Sequence, residues 1–281
     1  MKRRVYMDSR IPIPVQTVLN EYLSLFQNKI PNILEGFYLH GSIALNAYIN
    51  GSSDIDFVTV VNRTLTEEDA KVISDLHKEL NRKYKEIGMD GSYIQVGDVG
   101  KKQSEVKGCL KVNEGKTNWG NDDINPITWW VLKNKGITVL GPDIATYNFS
   151  VDERVLVNYV LQNMNSYWAN RLKTMEKYKT MAFVIPNKLV DEEVEWSITG
   201  MLRQFYTLTE IDIVSKVDAC KFAIHHLPEE FHKVINEAIA IREGSNIRYY
   251  NSKKQRIDDT VQCMAYILNH CNSIKDMCHH D

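Results

Sequence analysis

The 281-residue chain is 43% hydrophobic, 25% charged and 10% aromatic, which supplies enough apolar material for real cores and argues against disorder. Its length exceeds one ordinary hydrophobic core, so two domains are expected. A formal net charge of -2 gives no general attraction to polyphosphate chains and speaks against a long nucleic acid as partner. The basic start MKRRVYMDSRIPIPV has no apolar segment behind it, and no run of about 20 apolar residues follows, so a cytoplasmic protein with no membrane partner is expected. Cys109, Cys220, Cys263, Cys271 and Cys278 are odd in number, lack paired CxxC spacing and read as reduced thiols.

In chain order, PVQTVLNEYLSLFQN over residues 14–28 places Val15, Val18, Leu19, Tyr22, Leu23 and Phe26 at helical spacing. EGFYLHG reads as a short strand ending at Gly41, and SIALNAY as a helix beginning directly after it. After the turn NGSSD, the β-branched run DIDFVTVV reads as a buried strand. A helix is predicted over 66–87, opening on Thr66-Glu-Glu-Asp, and a third strand over MDGSYIQVGDV, residues 89–99. The polar stretch 100–126 reads as a mobile excursion near the site. ITWWVLKNKG is predicted helical up to Gly136, and ITVLGPD a short strand with a turn. From Ser150 onward only helical patterns occur. The fold class is therefore α+β: residues 1–149 form a domain with a small mixed sheet and helices, and residues 150–281 an all-α helical bundle.

Asp54 and Asp56 stand two apart in a strand, so they project to one face, roughly 6 to 7 Å from each other. Two carboxylates this close repel unless a cation lies between them, and hard oxygen ligands in that number suit Mg²⁺, which also takes phosphate oxygens. The Gly41-Ser42 junction adds an anion site, because glycine admits close backbone approach and a helix start offers free N–H groups. A DxD alone fits equally well a turn residue followed by a polar position on an exposed strand. Its combination with Gly41, Ser42, Ser52 and Ser53 favours a site.

HGSIALNAYINGSSDIDFVTVV resembles the Gly-Ser, then Asp-x-Asp, signature of the nucleotidyltransferase superfamily with the polymerase-beta-like fold. Through ITVLGPD, LRQFYTLTE, SKVDACKFAIHHLPEE and the helical second half, nearly the whole chain is similar to bacterial aminoglycoside adenylyltransferases of the streptomycin and spectinomycin type. The resemblance implies a nucleotidyltransferase domain followed by an acceptor-binding domain. It implies transfer of AMP from ATP to a hydroxyl of a small cationic acceptor, an aminoglycoside, with a pair of Mg²⁺ ions and release of pyrophosphate. Asp54, Asp56 and a third carboxylate, matched by Asp90, would bind metal, with Asp90 as the base. The family's antibiotic enzymes have a glutamate in a Glu-Val-Thr context there, and Asp90-Gly91 also reads as a hairpin turn.

The same resemblance implies Gly41, Ser42 and Ser53 at the β- and γ-phosphates, Arg203 and Lys216 as cations toward the triphosphate, and Glu193 with Trp168 at the acceptor. Each has a plainer account. Asp191, Glu192, Glu193 and Glu195 suit the start of a helix capped by Asp191, Lys216 suits a solvated surface, and Trp168 suits core packing. Ile241, Arg242, Glu243 and Gly244 stand where the family tends to have an aromatic residue before a glycine. His225-His226 and the tail Cys278–Asp281 have zinc-ligand chemistry but no closed four-ligand spacing. Two other functions share the signature: the same chemistry on a protein or another metabolite, and a non-catalytic nucleotide-binding or antitoxin-like module.

Overall fold

The computed structural model describes residues 8–106 and 108–278, and the chain divides into two compact units between Asp152 and Glu153. In the first, Pro12 sets the start of α1 (Ile13–Lys29), whose Val15, Val18, Leu19, Tyr22, Leu23 and Phe26 are all buried. β1 (Leu34–Leu39), the single-turn α2 (Gly41–Ala44) and β2 (Ile55–Val61) follow. α3 (Glu67–Lys83) opens on a capping box: the Thr66 hydroxyl accepts the Asp69 N–H, and the Asp69 carboxylate accepts the Thr66 N–H. Arg63 bonds to that carboxylate at 2.6 Å and is the main reason its pKa is held down to about 2. β3 (Met89–Gln95), β4 (Cys109–Asn113), β5 (Lys116–Gly120), α4 (Pro126–Lys135) and β6 (Ile137–Leu140) complete the unit.

The strands form one mixed sheet in the order β5-β4-β3-β2-β1-β6. β2 and β3 run parallel, and α3 is the crossover such a pairing needs. One sheet face packs Phe37, Phe57 and Tyr93 against Tyr22 and Phe26 of α1 and His77 of α3. The Tyr22 hydroxyl meets those of Thr59 and Tyr93 at 3.1 and 2.9 Å, and His77 Nε2 meets the Tyr93 hydroxyl at 2.8 Å. The other face packs Tyr38, Val58, Val60, Ile94 and Cys109 with Trp129 and Leu132 of α4. Burying one large apolar side chain contributes about 1.5–3 kcal/mol, so β2 is anchored firmly on both faces.

The stretch 100–126 is not the loose excursion its composition predicts, because residues 109–120 form the β4–β5 hairpin on the sheet. Asn113 pairs with Lys116, leaving Glu114 and Gly115 as a two-residue turn at φ 49° and 73°. Both values are the positive ones a type I′ turn demands. The usual Asn-Gly signal is here Glu-Gly, and this hides the hairpin.

The second unit is helical. α5 (Glu153–Asn163) passes through a π-helical turn at Met164–Trp168 into α6 (Ala169–Met181). α7 (Asn187–Glu210), α8 (Lys216–His226), α9 (His232–Arg242) and α10 (Lys253–Cys278) follow. α7 is central: Val190, Val194, Ile198, Met201, Leu202, Phe205 and Leu208 are buried along it, and α5, α8, α9 and α10 pack on it. Asp191 is not the cap its sequence suggests, since the helix begins at Asn187 behind Pro186. It instead lies 2.6 Å from Arg256, which also bonds to the fully buried Glu237 at 2.8 Å. The architecture is the expected one, a mixed sheet with helices and then a helical region. Cys109, Cys220, Cys263 and Cys271 are free and buried, and no helix among the described residues is long and apolar enough to cross a membrane.

Candidate active site

After β1, the His40 N–H donates to the Asp56 carbonyl at 3.0 Å and ties the chain to β2. Gly41 then takes φ 57°, a left-handed value that L side chains rarely adopt. A Cβ built on it would lie 1.8 Å from Asp56 Oδ2, so the carboxylate rests directly against the Gly41 backbone and only glycine leaves it room. The next hydroxyl, of Ser42, is buried without a hydrogen-bond partner. Ser53, itself buried, accepts the Ile49 N–H at 3.1 Å and closes the turn that delivers Asp54. The Asp54 carboxylate lies beside Gly88, whose carbonyl accepts the Ile55 N–H at 2.8 Å. The hydroxyl of Tyr48 is a second buried group without a partner; burial and then the charge of Asp54 push its pKa up.

The parallel register sets Asp56 directly opposite Asp90. Asp90-Gly91 is therefore no turn but strand, and Gly91 is required there because a Cβ would meet the Phe57 carbonyl oxygen at 2.1 Å. Burial raises the Asp90 pKa to about 6, aided by the charges of Asp54, Asp56 and Glu114 and opposed by the Glu114 N–H, which donates to Oδ1 at 2.9 Å. Asp54, Asp56 and Asp90 are thus gathered at one end of β2 and β3, close enough for the charges of the first two to bear on the ionisation of Asp90. Among the described residues no three His, Cys, Asp or Glu side chains stand together as a ready metal cage. Mg²⁺ needs none: it binds through one or two carboxylates and substrate phosphates, and a set of mutually repelling hard oxygen donors fits it. Glu114, Tyr48 and His40 were not legible as neighbours of this site; His40 alone had a signal, its place just before Gly41-Ser42. Loss of hydration holds His40 down to about 4, and the charge of Asp123 opposes this.

In the helical unit Lys216 is no solvated lysine. Its Nζ lies 3.0 Å from Glu195 Oε1, which Arg242 also approaches at 3.6 Å, and 4.8 Å from the centre of the Trp196 ring. Burial lowers the Lys216 pKa, with Glu195 opposing and with Arg242 and Arg203 adding, so the two predicted cations Arg203 and Lys216 do share a neighbourhood. Glu193 pairs through Oε1 with Arg171, while its Oε2 is buried without a partner. Trp168 is buried against Gly200, where a Cβ would meet its ring at 2.2 Å, and its indole N–H has no partner. Glu195 and Arg242 are the neighbours sequence reasoning missed; Glu195 had been read only as one of four helix-start acids. The His226 ring stacks on Phe222 at 3.8 Å, and the tail histidines lie outside the described residues.

Residues 187–266, from the start of α7 into α10, match the family model for the aminoglycoside adenylyltransferase C-terminal domain. The whole architecture is similar to a crystal structure of spectinomycin adenyltransferase AAD(9) from Enterococcus faecialis with ATP and spectinomycin. That likeness has 16% identity and a TM-score of 0.68, and covers 92% of this chain and 99% of that one. No curated protein matches the chain in sequence. Residues 187–266 thus match that C-terminal domain, and the chain as a whole shares the fold of that adenyltransferase.

Proposed function

We propose that this protein transfers AMP from ATP to a hydroxyl of a small cationic acceptor, an aminoglycoside, releasing pyrophosphate in a Mg²⁺-dependent reaction in the cytoplasm. The observation that carries the reading is the convergence of Asp54, Asp56 and Asp90 beside the unpartnered Ser42 hydroxyl. A site that only binds nucleotide has no use for three mutually repelling carboxylates. The similar spectinomycin adenyltransferase, solved with ATP and spectinomycin, supports both substrates.

Asp54 and Asp56, joined by Asp90, would hold a pair of Mg²⁺ ions, which when bound supply positive charge to the phosphate oxygens. The Gly41 backbone and the Ser42 and Ser53 hydroxyls would seat the β- and γ-phosphates. Asp90 takes the proton from the acceptor hydroxyl, whose oxygen forms the new bond to the α-phosphorus as the bond to the bridging oxygen of pyrophosphate breaks. Burial and the neighbouring carboxylates make Asp90 more basic than an ordinary aspartate before metal arrives, and bound Mg²⁺ would favour its ionised, proton-accepting form. Arg203 and Lys216 would meet the triphosphate, Glu193 would receive an acceptor ammonium on Oε2, and Trp168 would stiffen the wall beside it.

The test is pyrophosphate release from ATP and Mg²⁺ with a panel of aminoglycosides, spectinomycin and streptomycin included, and mass spectrometry of the acceptor. Acceptor-dependent release and a product heavier by one adenylyl group are expected. Release without any aminoglycoside product, but with labelled protein or metabolite, would move the chemistry to another acceptor. No release at all would leave the nucleotide-binding module.

A further inference from the structure

We infer that the backbone amide of Glu114, at the tip of the β4–β5 hairpin, is a positioning group for Asp90: it fixes one carboxylate oxygen so that the other is presented to the reacting hydroxyl. The inference rests on the transfer reaction proposed above and assigns the hairpin a part in it.

Asp90 reaches the site from a strand, and the terminal torsion of an aspartate is broad, so the strand alone does not fix its oxygens. The Glu114 N–H supplies what is missing, donating to Oδ1 at 2.9 Å. The donor is rigid for three reasons. It sits in a two-residue turn with paired residues on both sides, Asn113 with Lys116 and Val112 with Thr117. The next residue, Gly115, is wedged against α3, where a Cβ would come within 2.9 Å of Asn81 Nδ2. The base of the hairpin is pinned to β3 itself, with Val112 opposite Gly91 and Lys111 opposite Ser92. Glu114 also holds φ 49°, a value that Asn or Gly adopts with less strain, and strained residues cluster where geometry serves a site. The Glu114 carboxylate, exposed at the same corner, adds negative charge beside Asp90. The amide offsets that charge on the oxygen it holds.

An amide-to-ester exchange at Glu114, made by protein semisynthesis, deletes the donor and keeps the left-handed φ that proline cannot adopt, and Gly115→Ala strains the turn while leaving the strands and the donor atom in place. The ester variant is expected to lower kcat about tenfold to a hundredfold with the KM values for ATP and acceptor little changed, the pattern of a lost orienting contact. Glu114→Asn, the conservative exchange at a left-handed position, keeps the N–H and keeps kcat. Gly115→Ala should show a smaller loss in the same direction, and it decides the matter if the ester variant does not fold. A readout independent of turnover is hydrogen exchange: the Glu114 amide should exchange faster in Asp90→Ala than in the wild type. Wild-type kcat in the folded turn variants overturns the inference. So does a loss in Glu114→Asn equal to that in the ester variant, which would make the carboxylate the working group, and so does an exchange rate indifferent to Asp90. A wild type that transfers AMP to nothing overturns the parent reading and this one with it; the other outcomes overturn this one alone.

Discussion

The acids at the end of β2 and β3 and the acids of α7 are set in opposite ways. At the sheet's end, burial first and then the charges of Asp54 and Asp56 raise the cost of ionising Asp90. In the helical unit, the acids of α7 are matched to cations: Asp191 to Arg256, Glu193 to Arg171, and Glu195 to Lys216 and Arg242. An acid beside a cation gains from its neighbour, and an acid beside another acid pays for it.

Substitutions should separate the two regimes. The largest effect belongs to Asp54→Asn and Asp56→Asn, each expected to cut transfer about a thousandfold while the fold stays intact. Steady-state kinetics beside a thermal melt checks this, and near-normal turnover in either variant would remove that residue from the chemistry. Glu237→Ala should do the reverse. It leaves the buried Arg256 with Asp191 alone and should cost the helical unit about 3 kcal/mol in denaturant unfolding, the low end for a broken buried pair.

Glu193→Gln tests where recognition lies. Acceptor affinity should fall about tenfold, or about 1.4 kcal/mol, with nucleotide affinity unchanged, as calorimetry at two salt concentrations would read. Equal affinity in the variant would make the Arg171 pair purely structural. The smallest effect is a pH dependence confined to the sheet unit. Burial lowers the His77 pKa from 6.5 to about 3, so the folded state resists a proton that the unfolded state takes. The stabilisation is complete above the unfolded value and is lost as pH falls, by about 1 kcal/mol over the first pH unit below it. Unfolding followed against pH should carry this slope together with the like one of His40 and the opposing one of Asp90, and His77→Gln should remove the His77 share, about 1 kcal/mol over that unit.

Much of this was legible in the chain. β2 announced itself through β-branched residues on two buried faces, and α1 and α7 through apolar spacing that the packing uses residue by residue. Asp54 and Asp56 are legible as a pair two apart, but the strand begins only at Ile55 and Asp54 stands just before it, outside the period of two expected to align them. What failed to show was long-range. Asp90 reads locally as a turn, and only its pairing with Asp56 makes it strand. The β4–β5 hairpin hid behind a glutamate in a turn position that asparagine usually fills, so the contact between Glu114 and Asp90 had no local sign. Asp191 looked like a cap because its cation, Arg256, lies 65 positions away in sequence (256 − 191) and 2.6 Å away in space.

The buried thiols give this molecule a built-in way of reporting on its own breathing. Cys109 lies within the sheet unit, and Cys220, Cys263 and Cys271 lie within the helical one. Burial pushes the Cys109 thiol up to about 11 and the Cys271 thiol to about 12, so none reacts until its surroundings open. An alkylating reagent therefore becomes a clock with two hands. The rate at which Cys109 is labelled times the opening of the sheet, the rate at the other three times the opening of the bundle, and mass spectrometry of the fragments reads both from one tube.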